Sequence, residues 1–191
     1  MPQVIVRRAV NSETEARSLT QVHVEAWKWA YRGLLPAGYL DNLDDQHGAR
    51  LEVWRRLLSQ DPARSAVWVA AEHGAIVGFA CTGPSRAENA GAGEAELLSI
   101  YLLERKAGTG TGRLLMRRAI SELRSQGYTS AVLWVLESNE RARRFYERGG
   151  WALDGGRQVD NRPGFDLIEI RYRIALQPLL STKRRSRVGR G

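Results

Sequence analysis

Three alternating glycines, Gly108, Gly110 and Gly112, follow an apolar run ending in Leu102-Leu103 and precede a stretch with helical spacing. Backbone without side chains at those points can approach a ligand closely, and the first turn of a helix leaves N–H groups unpaired and aimed outward. Such an end binds phosphate. The same glycines also serve a loop that does nothing but turn the chain into a helix. A nucleotide-triphosphate loop is excluded, because it ends in Gly-Lys-Ser/Thr and this one ends Gly112-Arg113-Leu114, with no hydroxyl for magnesium. A dinucleotide fingerprint, Gly-x-Gly-x-x-Gly with an acid about twenty residues on, fits only loosely. Here the third glycine comes one residue early and Glu137 comes late, which leaves a dinucleotide-dependent enzyme as an alternative.

A second group begins at Asn139, where Asn139, Ala142 and Tyr146 recur with helical spacing and the segment closes on Gly149-Gly150-Trp151. Cysteine and histidine offer less. The single cysteine, Cys81, has no partner for an internal disulfide and lies in the strand-like run Val77–Cys81, so a packing role is expected. His23, His47 and His73 are scattered without metal-ligand spacing, and no metal site is predicted.

Around these residues the chain reads as one α/β (α+β) domain over 1–178, followed by a basic tail at 179–191. Val4–Arg7 reads as a strand. Ser12, three residues before Glu15, offers a capping start to a helix whose Ala16, Leu19, Val22, His23, Ala26, Trp27 and Ala30 share a face. Tyr31–Pro36 breaks it. A second helix over Gln46–Ser59 puts Leu51, Trp54, Leu57 and Leu58 on one side. Ala66–Ala71 and Ala75–Ala80 flank the turn Glu72-His73-Gly74 and read as a hairpin. After a loop at Gly83–Gly93, Glu94–Leu103 reads as a strand and Arg113–Gln126 as an amphipathic helix with Leu115, Ala119, Ile120 and Leu123 inward and Gly127 as its cap. Ser130–Leu136 is a strand, Asn139–Arg148 a helix and Glu169–Ile174 a last strand, with Phe165 on a loop before it. Strand–helix–strand–helix implies a parallel pair with crossovers.

The glycine turn and the Asn139 segment, in that order, resemble the GCN5-related N-acetyltransferase (GNAT) superfamily. Its pattern is Arg/Gln-x-x-Gly-x-Gly/Ala after one strand and Asn-x-x-Ala-x-x-Phe/Leu-Tyr-x-x-x-Gly-Phe/Trp after the next. The match is close over 94–151, and Ala26–Pro36 looks like the acceptor-side helices of a bacterial branch of that superfamily. Ala107 departs from the pattern, where the family has Arg or Gln, with Arg105 and Lys106 as neighbouring cations that could compensate.

The resemblance implies a mixed central sheet flanked by helices, with two splayed parallel strands that admit the pantetheine arm of acetyl-CoA, and no metal. The backbone of Ile100, Tyr101 and Leu102 would face that arm. Gly108, Thr109, Gly110, Thr111, Gly112 and Arg113 would hold the pyrophosphate, with Asn139 reaching from its helix start. Tyr146 would donate to the CoA sulfur. As base, Glu96 matches one family position, whereas the other known position carries Trp134 and leaves Glu137 displaced. Trp27, Tyr31 and Arg32 would wall the amine acceptor, with Asp160 and Glu169 as further carboxylates on that side. Dimers are common in the family, so a homodimer is an open assembly.

The charge is +8, from 29 Lys and Arg against 21 Asp and Glu. Five of those cations fall in Ser181–Gly191, and removing them leaves +3 on the rest. The phosphate of a cofactor, rather than nucleic acid, is therefore the expected anionic partner. A CoA-binding or nucleic-acid-associated module without catalysis, working through the basic tail, is the alternative. An apolar fraction of 43% and six Trp exclude a disordered chain. No apolar run reaches membrane-spanning length, and the N-terminus lacks the order of a secretion signal, so a cytoplasmic location is expected.

Overall fold

The computed structural model describes residues 3–61, 65–87 and 89–176. The domain boundary expected at 178 and the basic tail fall outside the described residues. Among these residues seven strands form one sheet: β1 (Ile5–Arg8), β2 (Ala66–Glu72), β3 (Ala75–Pro84), β4 (Glu94–Leu102), β5 (Ser130–Leu136), β6 (Ala152–Arg162) and β7 (Phe165–Ala175). Their spatial order is β1-β2-β3-β4-β5-β7-β6, and only β4 and β5 pair in parallel. The helices are α1 (Glu13–Ala30), α2 (Ala37–Asp41), α3 (His47–Ser59), α4 (Thr111–Ser125) and α5 (Glu140–Arg148).

Local chemistry sets most of these boundaries. Ser12 caps α1 by accepting from the Glu15 backbone N–H at 3.2 Å. The Glu15 carboxylate does not close the capping box. It turns instead to Arg7 at 2.8 and 2.9 Å and to the Val10 N–H at 2.8 Å, tying α1 to β1. His73 and Gly74, with φ of 50° and 83°, make the two-residue turn between β2 and β3 that the twist of a hairpin favours. The expected inner face of α4 is buried throughout.

Three elements differ from the sequence expectation. The short helix α2 lies just past the predicted break, in a stretch for which no element was expected, and β6 is a strand that nothing in the sequence pattern announced. Phe165 belongs to β7 rather than to a loop, because the turn closes one residue earlier, at Gly164 with φ of 87°.

The two faces of the sheet do different work. His23 of α1 packs its ring 5.2 Å from Phe79 and 5.5 Å from Tyr101, so α1 and the α3 beneath it cover the face that carries those rings. α4 covers the other face, where Gly112 lies against Leu102.

Along β3 and β4, Cys81 pairs with Ser99 but Thr82 pairs with Leu97, so Leu98 is an extra residue on β4. Such a bulge bends its strand and increases the local twist. Parallel pairing with β5 covers only Glu94, Ala95 and Glu96, and beyond that point the strands part.

At the far end of β4, Gly78 of β3 leaves no room for a side chain, since a Cβ there would lie 2.8 Å from the Tyr101 carbonyl oxygen. Gly78→Ala is expected to push β3 off this end of β4 and to cost about 1–3 kcal/mol. Thermal denaturation checks it.

Candidate active site

The parted strands leave one edge of β4 without a backbone neighbour. Ile100, Tyr101 and Leu102 pair with Ala80, Phe79 and Gly78 on the β3 side, and their other edge faces the gap. At the end of the gap a single 3₁₀ turn, Glu104–Lys106, leads into the glycine turn. Gly108 and Gly110 hold φ of 72° and 88°, a left-handed region that L residues avoid. Gly110 caps α4 without a side-chain hydrogen bond, so the first-turn N–H groups of Gly112 and Arg113 remain directed outward.

Gly112 lets this helix end come close to the sheet, because a Cβ would lie 3.1 Å from Leu102 and 3.4 Å from Phe145 of α5. Thr109 and Thr111 join their hydroxyls at 2.9 Å, and Thr109 also donates to the Lys106 carbonyl. The backbone cradle thus fits a pyrophosphate. Of the cations beside Ala107, Lys106 is half-buried in an ion pair with Glu72, whereas Arg105 and Arg113 are exposed.

On the α5 side of the gap, Asn139 is buried and its Oδ1 accepts from the Ala142 N–H at 3.1 Å, so its carbonyl is used in capping α5. Tyr146 follows two turns on. Its ring packs among Phe145, Trp151 and Tyr172, and its hydroxyl has no hydrogen bond to another described residue. Burial, with Tyr31 nearby adding to it, raises its pKa and keeps the phenol protonated.

The opposite side of the gap opens into a pocket of about 190 Å³ lined by Glu96, Tyr101, Tyr31, Trp27, Trp134 and Glu169, among others. Glu96 and Tyr101 are five residues apart and would point to opposite faces of a regular strand. The Leu98 bulge brings both into one pocket. Tyr31 and Tyr101 share a hydrogen bond at 2.8 Å, and the rings of Trp27 and Tyr31 meet edge-on at 4.9 Å. Glu96, 3% exposed, accepts three N–H donors from Arg86: Nη2 at 2.6 Å, backbone N at 3.1 Å and Nε at 3.2 Å.

Arg32 does not join this group. Its side chain is 71% exposed and lies 4.0 Å from Glu104. Asp160 is likewise outside, bound to Arg162 on the exposed β6 strand, whereas Glu137 lines an adjoining hollow of about 470 Å³ with Phe165 and Leu35. Arg86, Leu98 and Gln158 line the pocket without any sequence signal that would have singled them out.

A buried group supports the wall. Arg50 donates to His23 Nε2 at 3.2 Å, so the neutral ring carries its proton on Nδ1, which is buried without a partner. Burial foremost, and the Arg50 charge with it, lower the His23 pKa to about 3. Cys81 is a core thiol on β3, with burial pushing its pKa up to about 12. Among the described residues no three His, Cys, Asp or Glu side chains gather as metal ligands. Among the described residues no helix is long and apolar enough to cross a membrane.

A sheet whose parallel strands part beside a glycine-rich helix start, with an uncapped N-terminus at the gap, is the arrangement that the sequence resemblance implies for an acetyl-CoA-dependent transferase. The comparisons agree. The family model described as Acetyltransferase (GNAT) family matches residues 24–151. An uncharacterized N-acetyltransferase, YuaI, of Bacillus subtilis is 32% identical over 126 residues, 65% of this chain and 68% of that protein. PaiA N-acetyltransferase from Thermoplasma acidophilum, solved in complex with coenzyme A, superposes with a TM-score of 0.67 at 20% identity, covering 88% of this chain and 98% of the other. A putative GNAT acetyltransferase from Desulfovibrio desulfuricans superposes at 0.70 and 22% identity, over 92% and 100%. The chain belongs to the GNAT family and is an N-acetyltransferase, with acetyl-CoA as the cosubstrate this family uses in general.

The His23 environment predicts an acid limb of stability. An unfolded chain takes up this proton near pH 6.5, and the folded one resists it down to about 3. The unfolded state therefore binds more protons across that window, and stability falls as the pH drops through it. Glu13, held down to about 2 mainly by its hydrogen bond from Arg55, adds a loss only below its ordinary 4.5. Between pH 6.5 and 4.5 the melting temperature of the wild type is expected to fall, and His23→Gln, which takes no proton, to show a flatter slope.

Proposed function

We propose that this enzyme passes the acetyl group of acetyl-CoA directly to a primary amine of a small molecule or a peptide N-terminus, within a ternary complex. The observation that carries this reading is the opposition of two differently built sides across one gap. The α4 start and the free edge of β4 suit the nucleotide and its pantetheine arm. The aromatic pocket with Glu96 at its floor suits an acceptor.

Aminolysis of a thioester needs a neutral amine, a polarised carbonyl and a stabilised thiolate. As the nitrogen–carbon bond forms and the carbon–sulfur bond breaks, Tyr146 supplies the hydrogen bond or proton that the sulfur requires. A phenol kept protonated by burial, with its hydroxyl unclaimed, suits that role. The protons lost by the amine leave by water along the polar lining of the pocket. Glu96 stands where the resemblance places a base, but Arg86 engages both of its oxygens, so it contributes by holding Arg86 across the floor. Trp27, Tyr31 and Tyr101 give the acceptor a rigid wall, and no covalent acyl-enzyme is needed.

Saturating CoA is expected to raise the melting temperature, because it binds the folded state alone. Release of free thiol from acetyl-CoA, followed against a panel of primary amines, is expected to depend on enzyme and amine together. Tyr146→Phe should lower kcat roughly a hundredfold and leave the KM for acetyl-CoA near its starting value. No stabilisation by CoA and no enzyme-dependent thiol release with any amine would overturn the reading.

A further inference from the structure

Two carboxylates face the acceptor pocket, and their electrostatic situations are opposite. At Glu96 the guanidinium of Arg86 answers the charge, and each oxygen already accepts at least one N–H. Glu169 faces the same space from β7, directly across from Leu136 of β5. Its partner is neutral: Gln158 Nε2 donates to Oε2 at 2.6 Å, which fixes the carboxylate without cancelling its charge. No Lys, Arg or His lies within ion-pair distance of Glu169 among the described residues. The other oxygen, Oε1, is left for a ligand.

A carboxylate partly withdrawn from water, whose hydrogen-bonding partner is a neutral amide and whose nearest pocket cation, Arg86, is bonded to Glu96, still attracts a cationic ligand. The walls fit such a ligand. Trp27, Tyr31 and Trp134 line the pocket; the Trp27 and Trp134 rings already carry Arg50 and Arg171 at 5.6 and 5.5 Å, which leaves the Tyr31 ring to attract a cation. Arg86, the cation in the lining, is occupied by Glu96.

We propose that Glu169 receives the ammonium group of the acceptor, so that the acceptor enters as an alkylammonium or arylalkylammonium cation, while Glu96 is a positioning residue for Arg86. Electrostatic reach is consistent with this placement. Burial, with the Glu169 charge adding to it, raises the Tyr31 phenol, and the same charge supplements the Glu96 hydrogen bond in raising Arg86. Glu169 thus acts on the pocket from α1 to the β3–β4 loop. The assignment rests on the acetyl-transfer reading for its consequence, but binding alone can test it.

Butyltrimethylammonium is a suitable probe, because a quaternary nitrogen cannot be acetylated. Its affinity for the CoA-loaded protein is read by tryptophan fluorescence and by thermal shift. Glu169→Gln is expected to weaken it roughly tenfold or more, because the quaternary cation, which has no N–H to donate, is held by the carboxylate charge alone. Glu169→Asp, which keeps the charge, should retain most of the affinity, and Glu96→Gln should change it far less than Glu169→Gln does. With a cationic amine as substrate, Glu169→Gln should raise KM and leave kcat near the wild-type value. The CoA-induced rise in melting temperature reports that each variant is folded.

Probe binding by Glu169→Gln equal to wild type, or no probe binding by the wild type, overturns the assignment. So does a loss confined to Glu96→Gln. Probe binding that depends on Glu169, without thiol release from any amine, supports the charge site and strikes the acetyl-transfer reading instead.

Discussion

The structure turns on one extra residue. Hydrogen-bonded strands stay a fixed distance apart, so a gap between two neighbours must begin where something ends the ladder. On β4 that is the Leu98 bulge, two residues past the last position paired with β5. The bulge acts twice. It frees one backbone edge of β4 for a ligand, and it reverses the alternation of side chains so that Glu96 and Tyr101 face the same pocket. A gap in the middle of a sheet is thereby built without removing any strand.

A gap is useful only if its width is held. At its narrow end Arg173 of β7 binds Glu94 of β4 at 2.6 Å and Asp154 of β6 at 3.1 Å, lacing three strands together. At its open end the Arg141 guanidinium of α5 lies 3.7 Å over Trp29 and donates to the Ala30 carbonyl at 3.3 Å. Since α1 packs on β4 and α5 follows β5, that contact ties the two arms to each other. Stacking keeps the guanidinium planar against the ring and leaves its edge free for the carbonyl, a combination unavailable to lysine.

Features set by local chemistry were legible in the sequence. The Ser12 cap, the His73-Gly74 turn, the Gly127 terminator and the inward face of α4 depend on residues a few positions apart. The glycine turn and Tyr146 were legible as well, through a motif with fixed spacing. β6 was not: Asp154-Gly155-Gly156-Arg157-Gln158 lacks apolar alternation, because an edge strand largely exposed on both faces has no core to demand it. The bulge left no mark either, since Leu98 is as ordinary a strand residue as Leu97. Arg86 belongs to a small-residue loop, and its partnership with Glu96 follows from tertiary pairing alone. Arg32 shows the converse, where a cation placed beside a wall in sequence points away from it in space.

The aromatic wall of the pocket carries a cost that explains its rigidity. His23, Trp27, Trp54, Phe79 and Tyr101 pack ring against ring within about 6 Å, mostly edge to face, an arrangement aromatic quadrupoles favour. Within that cluster His23 Nδ1, Trp27 Nε1 and Trp54 Nε1 are buried without hydrogen-bond partners. Each such donor opposes folding, and apolar packing must outweigh them. What the packing secures is position. Trp27 is pressed between Arg50, 5.6 Å from its ring centre, and Tyr31, while Tyr101 is held by His23 on one side and by the Tyr31 hydroxyl on the other. A wall fixed from behind in this way presents its rings to the pocket before any ligand arrives. The ordering cost of binding any ligand there is then already met in the folded protein, which favours selection by charge and shape over adaptation.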